Sequence, residues 1–258
     1  MILMTQLAHI MLLFKLIAVL HGVYDNQITI FLIGDSTMAD KDTLNNPERG
    51  WGMYLNTFFS DKIRVQNHAK NGRSSKSFRD QGLWDSVLTN LKRGDYVFIQ
   101  FGHNDAKMED TTRYAEAGTT YQQNLIRYIR EIRAKHAIPV ILTPVVRRKF
   151  ESNNKLMNTH GKYPDVVRQV ALKQNVQLID INLLSQNYLE ALGDEKSRQL
   201  FLHFPPGVVK KYPDGIHDDT HFSETGARII AYMVVNEIKT RKMKLARYIK
   251  KDQLSYYE

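Results

Sequence analysis

The 258-residue chain contains no cysteine. It therefore forms no disulfide and offers no thiolate as nucleophile or as zinc ligand. No serine stands in a Gly-x-Ser-x-Gly setting, which removes the nucleophile elbow of the α/β-hydrolases. A dinucleotide fingerprint, a P-loop and His-Glu-x-x-His are missing too, and with them the chemistries they carry. Proline is scarce, at 7 residues, and no linker, internal repeat or low-complexity tract divides the chain. One large domain is expected. Its composition, 43% hydrophobic and 24% charged, is that of a soluble globular protein. Chemistry without cofactor or metal is what these absences leave.

Acidic residues are fewer than basic ones, and the formal net charge is +9. Seven bases and no acid lie between Lys239 and Lys251, so most of that excess sits in one C-terminal segment. Such a segment reads as a solvated face or as an electrostatic foothold on an anionic surface. No nucleic-acid-binding module accompanies it, and no nucleic-acid partner is expected. At the other end, Met1 to Leu20 is apolar with Lys15 as its single charge. Residues 1–22 are expected to be a signal or anchor segment, which places the protein outside the cytoplasm, secreted or periplasmic. The basic n-region and cleavage site of an ordinary signal are missing.

Short apolar runs alternate with helical patterns. Strands are expected at Thr29–Ile33, Ile63–Val65, Tyr96–Phe101, Val140–Thr143 and Val176–Asp180. Helices are expected at Trp51–Phe59, Tyr121–His136, Tyr163–Asn175 and Glu224–Lys239, the last capped by Ser223. This order calls for an α/β fold with a parallel sheet covered on both faces. Right-handed crossovers then collect the carboxyl ends of the strands on one edge.

Chemistry-bearing blocks follow three of those strands. Gly34-Asp35-Ser36 follows the first, Asn71-Gly72-Arg73-Ser74 the second, and Gly102-His103-Asn104-Asp105 the third. A fourth block, Asp218-Asp219-Thr220-His221, precedes the last helix. A serine hydroxyl needs a base and an orienter for that base. His221 with Asp218, three residues apart on one turn, supplies both, while Asp219 competes for the acid's role. His217 with Asp214 has the same spacing, so spacing alone does not choose. Asp35 is expected to bond neighbouring amides and hold the Ser36 turn. A helix starting just after Ser36 would add its dipole to the site. Asn104 taken alone reads as an Asx-turn.

The four blocks resemble those of the SGNH (GDSL-type) hydrolases, with Ser36, Gly72, Asn104 and His221 in the name-giving positions. Phe-Leu-Ile-Gly-Asp-Ser-Thr-Met-Ala-Asp, Gly-Arg-Ser-Ser, Gln-Phe-Gly-His-Asn-Asp and Asp-x-Thr-His-Phe are closer still to the rhamnogalacturonan acetylesterase branch. The resemblance runs from about Ile28 to Glu237. It implies a three-layer α/β/α sandwich on a flavodoxin-like five-stranded sheet of order 2-1-3-4-5. It also implies a Ser36–His221–Asp218 triad, and an oxyanion hole made by the Ser36 and Gly72 backbone N–H groups and the Asn104 amide. Residues 23–240 would form that domain and 241–258 a basic extension. The implied substrate is an acetylated polysaccharide, foremost pectic rhamnogalacturonan. An acetylxylan or other short-chain esterase, a lipid or thioester hydrolase, and a non-catalytic sugar-binding domain are the alternatives.

Substrate contacts are expected from five further residues. Trp51 can stack on a sugar or be the buried anchor of its helix, and Arg49 beside it can pair with a uronate carboxylate. Arg73 and His103 lie inside the second and third blocks. Arg148 belongs to Arg147-Arg148-Lys149 after the fourth strand, which is either a contact for an acidic polymer or a solvated loop.

Overall fold

The computed structural model describes residues 27–250 and 253. The segment 1–22 lies outside the described residues. Five parallel strands, β1 (Ile28–Gly34), β2 (Ile63–Asn67), β3 (Tyr96–Gln100), β4 (Ile138–Leu142) and β5 (Gln177–Ile179), pair in the order β2-β1-β3-β4-β5. This is the order implied by the resemblance. In register, Leu32 faces Asn67 on one side and Phe98 on the other.

Period-two alternation divides the sheet between two cores. Ile30, Leu32, Tyr96, Phe98, Val140 and Leu142 point to one face, and Phe31, Ile33, Val97, Ile99 and Ile141 to the other. The first face is covered by helices α1 (Gly52–Leu55), α6 (Ile181–Ser197) and α7 (Glu224–Thr240). The second is covered by α2 (Ser77–Asp80), α3 (Leu83–Asn90), α4 (Gln122–Ala134) and α5 (Tyr163–Gln174). In α4 the buried residues Leu125, Tyr128, Ile129 and Ile132 make one stripe at helical spacing. Ser223 caps α7 as expected, its Oγ accepting from the Gly226 N–H at 3.2 Å.

Three features depart from the sequence-based expectation. The stretch from Trp51 to Phe59 holds only the short α1 and a single 3₁₀ turn, Asn56–Phe58. No helix follows Ser36 directly; the chain makes a turn there, with the Met38 and Ala39 N–H groups bonded to the Asp35 carbonyl at 3.2 and 3.0 Å. The fourth block lies on a hairpin of two antiparallel strands, β6 (Phe201–Phe204) and β7 (Ile216–Phe222), outside the main sheet. Phe201 and Leu202 pair with Phe222 and Asp218, so Asp219, Thr220 and His221 bulge out of the ladder.

Residues 241–250 of the basic segment continue the fold. Met243 and Leu245 are buried in the core, and the Tyr248 carbonyl accepts from the Ser60 N–H at 2.9 Å. That contact precedes β2, at the sheet edge opposite the strand ends that carry the blocks.

Candidate active site

Ser36 sits two residues beyond β1 and is the only partly exposed residue between Phe31 and Ala39. The Asp35 carboxylate, fully buried, organises the turn beneath it. Its Oδ1 accepts from the Thr37 N–H at 2.9 Å and from the Thr37 hydroxyl at 2.8 Å. Its Oδ2 lies 3.1 Å from His103 Nδ1. Burial pushes this carboxyl up, but the His103 ring and the Thr37 donors outweigh that and hold it below the ordinary carboxylate range. Asp35 thus holds the turn, as expected, and does so partly through a histidine far away in sequence.

His221 Nε2 lies 2.9 Å from Ser36 Oγ, and His221 Nδ1 lies 2.7 Å from Asp218 Oδ2. The other oxygen, Asp218 Oδ1, accepts from the Thr220 and His221 N–H groups at 2.7 and 3.0 Å. One aspartate therefore shapes the bulge and orients the imidazole that the bulge carries. Asp218 is partly desolvated, which raises it, yet these three hydrogen bonds bring its carboxyl down to about 2. Burial lowers His221, and the Asp218 bond and charge, with Glu48 beyond, reverse this and raise the imidazole above its usual value.

The alternative pair is not brought to the serine. His217 is exposed, with its ring against His203 at 5.4 Å. Asp219 turns the other way, to Arg148 Nη1 at 2.6 Å and His203 Nε2 at 2.8 Å.

Gly72 follows β2 with φ +75°, a left-handed conformation open to glycine at little cost. Asn104 is 5% exposed and makes no Asx-turn. Its amide donates to the Arg73 carbonyl at 3.0 Å, and its oxygen accepts from Arg113 Nη1 at 3.3 Å. These contacts lock the third block against the second and leave a second amide N–H uncommitted within the protein.

The five expected substrate contacts separate. Arg73 is partly exposed, its guanidinium bonded to Gln81 Oε1 at 2.9 Å and to the Asn71 carbonyl at 2.7 Å. Arg49 is also partly exposed, with Nη1 bonded to the Asn46 and Glu48 carbonyls. Trp51 is fully buried, its Nε1 donating to Gln100 Oε1 at 3.0 Å, so it is the anchor of α1 and not a stacking platform. His103 is 4% exposed and lies between Asp35 and the His160 ring, under the serine turn and out of reach of a polymer. Arg148, 5% exposed, is occupied by Asp219, by Ser197 Oγ and by Asp194. Its role in the structure is to brace the triad hairpin against α6. The physical reason is shared: each of these three groups meets a buried polar partner supplied by a distant element, which no local pattern announces.

Sequence reasoning also passed over Lys41 and Glu48, which stand beside His221 in the loop between β1 and α1. Neither lies in a block, and no spacing signals them. Among the described residues no group of three or more His, Asp or Glu side chains is placed to hold a metal ion.

Serine, base and acid form one hydrogen-bonded chain next to an amide donor, an arrangement able to transfer an acyl group. Comparison with known proteins agrees. The GDSL-like lipase/acylhydrolase family matches residues 32–229. A rhamnogalacturonan acetylesterase of Bacillus subtilis, RhgT, is 41% identical over 212 residues, covering 82% of this chain and 90% of that protein. A rhamnogalacturonan acetylesterase of Emericella nidulans is 42% identical over 222 residues, covering 79% and 81%. Among solved structures, protein YXIM of Bacillus subtilis superposes with a TM-score of 0.72 at 27% identity, over 84% of this chain and 57% of that one. The acetylxylan esterase Axe2 of Geobacillus stearothermophilus shares the fold, with a TM-score of 0.58 at 18% identity over 82% and 94%. The chain belongs to the GDSL-like lipase/acylhydrolase family and is a hydrolase of that type.

Proposed function

We propose that the protein is a carbohydrate O-acetylesterase whose substrate is an acetylated, galacturonate-containing pectic polymer of the rhamnogalacturonan type. The observation that carries the reaction is the chain Asp218–His221–Ser36, with bonds of 2.7 and 2.9 Å. Ser36 Oγ attacks the acetyl carbonyl while His221 Nε2 takes its proton. The oxyanion is met by the N–H groups of Ser36 and Gly72 and by the Asn104 amide, each such donor being worth roughly 3–4 kcal/mol. His221 returns the proton to the sugar oxygen as the acyl-enzyme forms. A water then gives its proton to His221 and releases acetate, regenerating Ser36.

The substrate class rests on the two rhamnogalacturonan acetylesterases described above and on the surroundings of the triad. A cavity of about 310 Å³ opens beside Asp219, lined by Arg148, Lys149, Phe150, Arg198, His203 and His217 among others. Asp219 and His221 are two residues apart, so at most about 7 Å of chain separates this cavity's wall from the base. Lys149 and Arg198 are exposed there and suit a sugar acid, and Phe150 offers an aromatic wall. A lipid substrate finds less support. A cavity of about 570 Å³ with a mainly apolar lining lies on α6 and α7, at Leu184, Tyr188, Ile229 and Met233, and includes no residue of the four blocks.

The test is acetate release from acetylated rhamnogalacturonan, acetylated xylan, and short- and long-chain p-nitrophenyl esters. The highest kcat/KM is expected on the pectic polymer, with acetyl favoured over long acyl groups. A preference for long-chain esters would replace this reading with a lipid or thioester hydrolase.

A further inference from the structure

Lys41 is an unusual residue for the edge of an active site. Its side chain is 2% exposed, and its ammonium touches Glu48 Oε1 at 2.7 Å and Asn71 Oδ1. Buried ammonium groups are rare because removing the charge from water is costly unless partners replace it. Here burial pulls the lysine below its usual value, while Glu48 and Asp35 favour its charge and Lys211 opposes it. A pair retained at such cost in the interior invites the question of what it positions.

The answer lies in what each partner adjoins. Asn71 immediately precedes Gly72, whose N–H belongs to the oxyanion hole. Glu48 Oε1 stands 4.0 Å from His221 Nε2, the same nitrogen that faces Ser36 Oγ at 2.9 Å. Glu48 also precedes Arg49, whose N–H donates to the Phe222 carbonyl at 2.9 Å, next to His221 in the chain. Lys41 is therefore the common strut between the oxyanion loop and the base.

The 4.0 Å gap is too long for a hydrogen bond. It is wide enough for the exchanging oxygen, either the departing sugar hydroxyl or the incoming water, to reach Nε2. Without the ammonium, the imidazolium of His221, 4.0 Å away, is a cationic partner within reach of Glu48. A carboxylate bonded to Nε2 would block that oxygen and draw the ring from Ser36.

We propose that Lys41 is a positioning residue, which by gripping Glu48 and Asn71 holds the Glu48 carboxylate clear of His221 and sets the Gly72 loop against the base. This rests on the Ser36–His221 esterase reading and is independent of which polysaccharide is cleaved. The charged and titratable groups facing His221 are Asp218 from β7, and Glu48 and Lys41 from the loop after β1. Removing Lys41 takes away a repelling charge and frees an attracting one, so both changes raise the histidine. The base then stays protonated to higher pH.

The experiment uses the full chain and a small neutral acetyl ester, with kcat, KM, the pH profile and Tm measured for Lys41→Met, Glu48→Gln and the double variant. Lys41→Met is expected to lower kcat about tenfold and to move the acid limb of kcat/KM upward by about one pH unit, the shift given by an opposite charge brought into contact. Adding Glu48→Gln is expected to return the limb to or below its wild-type position and to recover most of kcat, although the ion pair stays absent. Glu48→Gln alone is expected to move the limb downward.

A lysine with a merely structural role predicts a lower Tm, an unmoved limb, and no rescue by the second change; that result would overturn the proposal. If Lys41→Met does not fold, an unmoved limb in Glu48→Gln overturns it equally. A wild-type protein inactive on every acetyl ester would instead sink the esterase reading, so the two failures are distinguishable.

Discussion

Ser36, Gly72 and Asn104 stand at the ends of three adjacent strands of the main sheet, whereas Asp218 and His221 ride on a hairpin outside it. The first half of the site is placed by buried backbone. β1 and β3 are locked in register on both sides and β2 against β1, and Asn104 ties two of the loops together. The second half is half-exposed and fastened at a few points. The Phe222 and Leu200 carbonyls accept from the Arg49 and Ser223 N–H groups at 2.9 and 3.1 Å, and Arg148 grips Asp219. The nucleophile and oxyanion donors thus follow strands buried in the core, while the base rides on a bulge whose own contacts are polar and whose hairpin reaches the core through Phe201, Leu202 and Phe222. Low-stability elements are where positional errors arise first.

The largest effect tests whether the two halves act as one unit. Ser36→Ala and His221→Ala are each expected to lower kcat by about 10⁶-fold, with the double change little worse, because members of a triad are not additive. Tm should hold in both, since neither side chain is core. Acetate release followed on folded protein checks this, and multiplicative losses would separate the halves chemically.

Next comes the sheet-borne half. Asn104→Ala is expected to reduce kcat by roughly 10²–10³ with KM little changed, because the amide meets charge that exists mainly in the transition state. The lost bonds to Arg73 and Arg113 should also lower Tm. A normal kcat per folded molecule would leave Asn104 a purely structural tie.

The hairpin half is probed at its brace. Arg148→Met is expected to cost between about 10- and 100-fold in kcat, the scale of a base displaced by about an ångström. The carboxylates it leaves behind, on Asp194 and Asp219, are half-exposed and can rehydrate, which limits the loss of stability. Equal losses from Arg148→Lys would show that the fork of the guanidinium is what matters. Full activity in Arg148→Met would mean that the hairpin holds its own shape.

The smallest effect concerns stability beneath the sheet-borne half. Asp105 is fully buried, with Oδ1 accepting from the Ser75 N–H at 2.9 Å and Oδ2 without a partner. Burial pushes its carboxyl up to about 7. A folded-state value above the unfolded one means that the protonated form favours folding, and that this stability is lost as pH rises through about 7. Asp105→Asn, which keeps the shape without the charge, is therefore expected to raise Tm by about 2–4 °C at pH 8 and to lose most of that advantage at pH 5. Thermal melts at the two pH values decide it; the same gain at both would mean that the carboxyl does not titrate in this range.

Much of this was legible in the chain. Strands β1, β3 and β4 were readable because apolar runs buried on both faces carry their own signature, and the ends of all five strands differ from the expected ones by only a residue or two. β6 and β7 were not, since Ile216 to Phe222 includes two histidines and two aspartates and reads as a polar loop. What makes it a strand is pairing with Phe201–Phe204, a contact between distant segments.

The sequence by itself determined the sheet, the order of the four blocks and the identity of the groups that meet in the site, because hydrophobic period and motif spacing are local properties of the chain. Tertiary structure alone decided that Trp51, His103 and Arg148 are occupied inside, and that Lys41 and Glu48 stand beside the base. Each of those outcomes depends on desolvation and on a hydrogen-bond partner brought from another element, and neither exists until the chain has folded.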